Sequence, residues 1–223
     1  MSISVPAEVI GKLREATVSL MKSKFKKEIV EPEEAVLARF QPIFSAEHIP
    51  SLTEEEFRSF LLPENNHHWS GLHRQGSRMC ADMTKLRQAL ILLVNEDLPV
   101  SDRLDEATKT VFGMGKNIAS AILLVTQPDR YGVWNNPSEA NMKRLGIWPK
   151  FDRGELFGSR YVKVNQILLE LRDALQIDLW TIDALWWFLD REVSEDTGIP
   201  DVEYSDSAGG HIITEVCRNS SLF

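Results

Sequence analysis

The stretch richest in chemical possibility is Phe112-Gly113-Met114-Gly115-Lys116-Asn117, which lies between two runs of helical periodicity. Two glycines let a backbone turn tightly and lie against an anion, and the amides opening the following helix face that anion with the helix dipole behind them. Met114 would plug the space between the two helices. A plain corner between helices is the rival reading. A little over twenty residues past Gly113 come Trp134, Asn135, Asn136 and Pro137. An asparagine carbonyl there can orient a water or lie against a positively charged group. The third concentration is Pro63–Gly76, which holds Asn65, Asn66, His67, His68, Trp69, Ser70, His73 and Arg74. It combines an aromatic surface, amides that hydrogen-bond to edges, and side chains able to fill a gap. The alternative is a capped interhelical loop with Trp69 tucked into the core. The three histidines lack ligand spacing and an evident fourth ligand, so no metal is expected.

The elements that must position these groups read as helices throughout. Residues 6–24 place apolar side chains at mixed three- and four-residue spacings, and Pro32-Glu33-Glu34 opens a second helix reaching Phe40. Ser51-Leu52-Thr53-Glu54-Glu55-Glu56 carries a cap signal for a third, which Pro63 ends. Residues 63–76 are loop-like in composition. Helices are then expected over Asp82–Asn95, Ser101–Phe112, Asn117–Thr126, Ser138–Leu145, Tyr161–Leu175 and Trp180–Leu189. No alternating strand series and no internal repeat appears. Trp180, Trp186 and Trp187 belong to an apolar closing helix and read as core.

The 223 residues suit one all-α domain with a shared core. Hydrophobic residues at 43% and charged residues at 26% give ordinary globular composition rather than disorder. No apolar run reaches the roughly 20 residues of a membrane helix, and the N-terminus lacks a signal-peptide core, so a cytoplasmic protein without a membrane partner is expected. Two cysteines, Cys80 and Cys217, are too few for a disulfide framework, an all-cysteine zinc site or an iron–sulfur cluster. The net charge of −8 argues against a nucleic-acid partner, but residues 190–206 carry −6 of it, leaving about −2 for the rest. A local basic face is therefore permitted, and the acidic tail over about 190–223 is expected to be an irregular wrap or end.

Phe112 to Leu123 resembles the helix-hairpin-helix of DNA repair glycosylases of the endonuclease III and 8-oxoguanine glycosylase kind, in residues 80–148 above all. That resemblance implies a single two-lobed helical domain over 1–223, with the hairpin at about 103–126. It also implies a monomer that binds double-stranded DNA and excises a flipped, damaged or modified base. Gly113, Gly115, Lys116 and Asn117 would hold a phosphate, and His68, Trp69 and Trp134 would meet the base or fill the duplex gap. The family's catalytic aspartate is replaced by Asn135, or by Asn136 under a one-residue shift. The position of the lyase lysine is Asn117, and the cluster cysteines are absent, so the expected enzyme is monofunctional, without cofactor, leaving an abasic site. A bulky modified cytosine of phage DNA is one substrate in view. The alternative is a catalytically silent reader of modified DNA in a restriction or phage-defence system. Glu139 and Asp152 are read as solvated charges.

Overall fold

A computed structural model describes residues 5–66, 68, 69 and 71–197, and within these every regular element is helical. Helix α1 spans Ala7–Lys22 and buries Val9, Leu13 and Leu20. A π-helical turn at Lys26–Val30 leads to α2, Glu33–Phe40, with Pro32 before it and two acids in its first turn. Helix α3, Glu54–Leu61, opens on a reciprocal capping box between Thr53 and Glu56. Then come α6, Met83–Val94, capped by Asp82; α7, Val100–Thr110; α8, Lys116–Thr126; α9, Asn136–Arg144; α10, Phe157–Leu175; and α11, Leu179–Thr197. The numbers between belong to two short helices, α4, Pro63–Asn66, and α5, Gly76–Met79.

These last two correct the expectation of a loop over 63–76. The segment is α4, a 3-10 turn at Leu72–Gln75, and α5. His73 and Arg74 are exposed, but Asn66, His68, Trp69 and Leu72 are buried, and side chains supply bonds that the backbone there needs. The Asn66 amide donates to the carbonyls of Phe60 and Leu62, at 2.7 and 3.1 Å, and its oxygen accepts from the Trp69 amide at 3.0 Å. His67 and Ser70 lie outside the described residues, as does the acidic tail beyond Thr197 and with it Cys217.

Helix α8 is the centre of the core. Every residue from Ile118 to Val125 is buried, as expected of a helix that is apolar on all sides. Helix α2 packs on it, α6 packs on α7, α7 on α10, and α1 lies across α10 and α11, so the first helix closes onto the last two. Between α8 and α9 the chain runs extended through Tyr131–Trp134, all buried, with no neighbouring strand. Side chains take the place of a sheet. Gly132 donates to Asn165 at 2.7 Å, its carbonyl accepts from the Tyr161 hydroxyl at 2.8 Å, and the Trp134 amide donates to Ser120 Oγ at 3.0 Å. The buried Arg103 guanidinium braces this segment, donating to the Leu93 carbonyl, to Glu96 and to the Tyr131 hydroxyl.

Glu33, in the first turn of α2, is half-buried and its carboxyl is pushed up to about 7, by burial first and then by the charges of Asp178 and Asp129. A folded value above the unfolded one favours folding at low pH and loses that advantage as pH rises through 7. Glu33→Gln should therefore raise stability by roughly 1–2 kcal/mol at pH 8 and change it little at pH 4, as read by urea denaturation at both pH values.

Candidate functional site

The turn between α7 and α8 is rigid on its inner side and open on its outer side. Val111 and Met114 are buried, at 5% and 2% exposure, so Met114 is the plug between the helices. Gly113 has φ +96°, and a Cβ there would come within 3.2 Å of Gln75 Oε1 and Met79 Cγ. Gly115 is different. Its φ of −89° and ψ of −173° are open to any residue, and a Cβ would meet nothing within 4 Å. The left-handed requirement thus falls on the first glycine alone. The second leaves bare backbone at the N-terminus of α8, where the Gly115 carbonyl accepts the first intrahelical bond, from Ala119.

Lys116 begins α8, but its charge is already partnered. Its Nζ lies 2.6 Å from Glu139 Oε2, while Lys143 Nζ is 2.6 Å from Oε1 and Trp134 Nε1 donates to Oε2 at 3.0 Å. The Lys116 ammonium also sits 5.5 Å from the centroid of the Trp134 ring. Burial alone would raise the Glu139 carboxyl, but the bonds from Lys116, Lys143 and Trp134 outweigh it and bring the group down to about 2. Glu139 is therefore a half-buried hub rather than a solvated charge. Lys116, expected at a phosphate, is drawn back along the protein surface by it. Asn117 stands next on α8.

The second polar centre is fully inside. Asn135 caps α9: its Oδ1 accepts from the Ser138 amide at 2.9 Å, and its own amide donates to Ser138 Oγ at 2.9 Å. Its Nδ2 donates to Asp183 Oδ1 at 2.7 Å. The other oxygen of Asp183 accepts from Trp69 Nε1 at 2.9 Å and from His68 Nδ1 at 2.8 Å. That bond fixes a proton on Nδ1 of His68, whose Nε2 is buried without a hydrogen-bond partner among the described residues. Asn135, His68, Trp69 and Asp183 are 3%, 2%, 2% and 1% exposed.

The structure brings Asn135, His68 and Trp69 together through Asp183, which sequence reasoning missed. The signal was present as the one acid in the apolar run Trp180–Leu189. His68 and Trp69 do not offer themselves to a duplex gap, since the Trp180 ring packs on both, at centroid distances of 4.3 and 5.6 Å. Trp134 is buried beside Trp148 and Phe157. Asn136, the first residue of α9, is half-buried and remains outside the Asp183 network.

Two surface clefts lie elsewhere. One of about 460 Å³ is lined by Glu96, Arg103, Arg130, Tyr131, Asn165 and Arg172 among others, and one of about 690 Å³ by Glu54, Glu55, Arg58, Ser59 and Leu62. Neither reaches Asn135. No group of three or more metal-ligating side chains stands together among the described residues, and no described helix is long and apolar enough to cross a membrane. No protein-family model, curated protein or solved structure matches this chain.

Two outcomes follow from this geometry. Gly113→Ala should lose about 1–2 kcal/mol in thermal denaturation, whereas Gly115→Ala should melt within about 0.5 kcal/mol of the parent. Glu139 has a depressed carboxyl, so its contribution is present above pH 4.5 and is lost as pH falls toward 2. Glu139→Gln should cost about 1–3 kcal/mol at pH 7, and the difference from the parent should shrink steadily in acid.

Proposed function

We propose that this protein grips double-stranded DNA at the α7–α8 hairpin and removes a modified base as a monofunctional DNA glycosylase. In this reading it has the two-lobed fold of the helix-hairpin-helix superfamily and works as a cytoplasmic monomer. The observation that carries the reading is Asn135 itself. It caps a helix that begins soon after the hairpin, and a buried carboxylate stands 2.7 Å behind its amide. Leaving of a base from a sugar builds positive charge at C1′, and the field of a carboxylate in a low-dielectric interior stabilises that charge. Asp183 supplies the charge; Asn135 transmits it through a polarised amide and turns its carbonyl toward the sugar and the attacking water. The bond pair of the glycosidic bond leaves with the base, and water adds to C1′ and gives up a proton that ends on the departing base, leaving an abasic site and the free base. Bare backbone at Gly115 and the N-terminus of α8 take the phosphate. Lyase chemistry has no agent at the hairpin, since Asn117 is an amide and the Lys116 ammonium is held by Glu139.

The depth of Asn135 favours a second reading. At 3% exposure, with Oδ1 and Nδ2 both bonded, it offers water no seat until the surrounding structure opens. A module that reads modified DNA without cutting it meets no such obstacle.

One experiment separates the readings. The protein is incubated with duplexes carrying modified bases, bulky modified cytosines included, and released bases are detected by mass alongside a gel-shift measurement. Base release with strands that break only in hot alkali supports the glycosylase. Asn135→Ala should then lower release by roughly 10²–10³ while binding persists. Binding without release of any base leaves the reader. Absence of binding removes DNA from the account altogether, and a borohydride-trapped adduct would refute the monofunctional assignment.

A further inference from the structure

The residues expected to enter the duplex, His68 and Trp69, are buried, so the DNA reading lacks a side chain for that task. We infer that Phe112 takes it, entering the base stack of the bound duplex while Arg78 contacts the neighbouring phosphate. The inference rests on the DNA-binding part of the reading above, and not on catalysis.

Phe112 is 69% exposed, the highest among the exposed large hydrophobics of the described residues. Its ring is not on a slack loop. Val111 before it and Met114 after it are anchored in the core, and the Met114 amide donates to the Val111 carbonyl at 3.1 Å. Gly113 turns the chain back immediately after it at φ +96°. A ring held out on a braced turn keeps little freedom to lose on binding. The same turn abuts the short helix α5, because Gly113 faces Gln75 and Met79. That contact brings the exposed edge of α5 beside the ring, with the Arg78 guanidinium 5.8 Å from the Phe112 centroid. Ser77 and Arg78 are exposed on that edge. An exposed aromatic flanked by a cation is the chemistry that stacks on bases while following a phosphate backbone.

Position agrees with this. Phe112 is three residues from Gly115, so a phosphate at that bare backbone and a base under the ring lie within one short span of the same duplex. The apolar wedge, the cation and the anion grip then form one surface built from α5, the hairpin turn and the start of α8.

The test uses the full chain and a duplex lacking one base, with 2-aminopurine next to the gap. Phe112 and Arg78 are exposed, so Phe112→Ala, Phe112→Trp and Arg78→Ala should melt like the parent. The parent and Phe112→Trp should change the 2-aminopurine emission on binding and share one affinity. Phe112→Ala should bind about tenfold more weakly and leave the emission unchanged. Arg78→Ala should weaken binding to every duplex and lower the slope of log affinity against log salt by about one. Parent-like affinity and emission for Phe112→Ala, with the parent still bound to DNA, would overturn the inference and leave the hairpin grip standing. Failure of the parent to bind would overturn both. If Phe112→Ala binds DNA normally but converts a dimer to a monomer in sedimentation, the ring is a contact between copies of this chain, and the inference is again overturned.

Discussion

The carboxylate of Asp183 is the constraint around which the interior is arranged. An ionised acid at 1% exposure costs several kcal/mol in desolvation unless donors surround it. Three donors do: Asn135 from the start of α9, and His68 and Trp69 from the segment between α4 and α5. Each comes from a part of the chain remote in sequence from α11. The charge can be accommodated only if α9, α11 and the 66–69 segment reach one arrangement together. The same bonds tie Asn135 Nδ2, His68 Nδ1 and Trp69 Nε1 to the carboxylate, which is why groups that look poised for recognition in the sequence are held inside.

A related economy governs the route from α8 to α9. The extended stretch Tyr131–Trp134 has no strand beside it, yet the Gly132 N–H and C=O and the Trp134 N–H are paired, because Asn165, Tyr161 and Ser120 take the place of a partner strand. These side chains arrive from α10 and α8, so the position of Asn135 depends on the packing of two long helices on either side. Arg103 adds a third brace through the Tyr131 hydroxyl. Asn135 is accordingly held to a fixed place by contacts spread over much of the molecule.

The electrostatics of the hairpin face follow from competition within the protein. Two lysines that could answer a phosphate are turned toward Glu139, whose depressed carboxyl reflects how fully it is solvated by their ammonium groups and by Trp134. An acidic protein that binds a polyanion must either release such cations or rely on neutral donors. The Gly115 amide is not such a donor, since it already bonds to the Gly113 carbonyl at 3.0 Å, and what the turn offers of the second kind is the open backbone at the N-terminus of α8. A contact through backbone amides gains less from counterion release than one through lysines, so any DNA affinity it supports depends weakly on salt.

The sequence alone determined the longer helices. Their caps and breaks are local events: the Thr53–Glu56 box, Asp82 before α6, Pro32 before α2 and the glycine turn after α7 each act within a few residues. The plug role of Met114 and the core character of Trp180 and Trp186 were legible for the same reason, since apolar period and a short turn leave few alternatives. The short helical turns over 63–76 were not legible because the polar composition resembles a surface loop, although the alternative that tucked Trp69 into the core agrees with its 2% exposure. Only tertiary structure decides whether an asparagine, histidine or tryptophan spends its hydrogen bonds on solvent or on a buried carboxylate. Asp183 lies 115 residues from His68 and 48 from Asn135, and no local rule connects them. The Lys116–Glu139 pair spans 23 residues and is equally invisible to periodicity. Secondary structure is written in neighbours along the chain, whereas the placement of a charge depends on which donors the completed fold brings within about 3 Å of it.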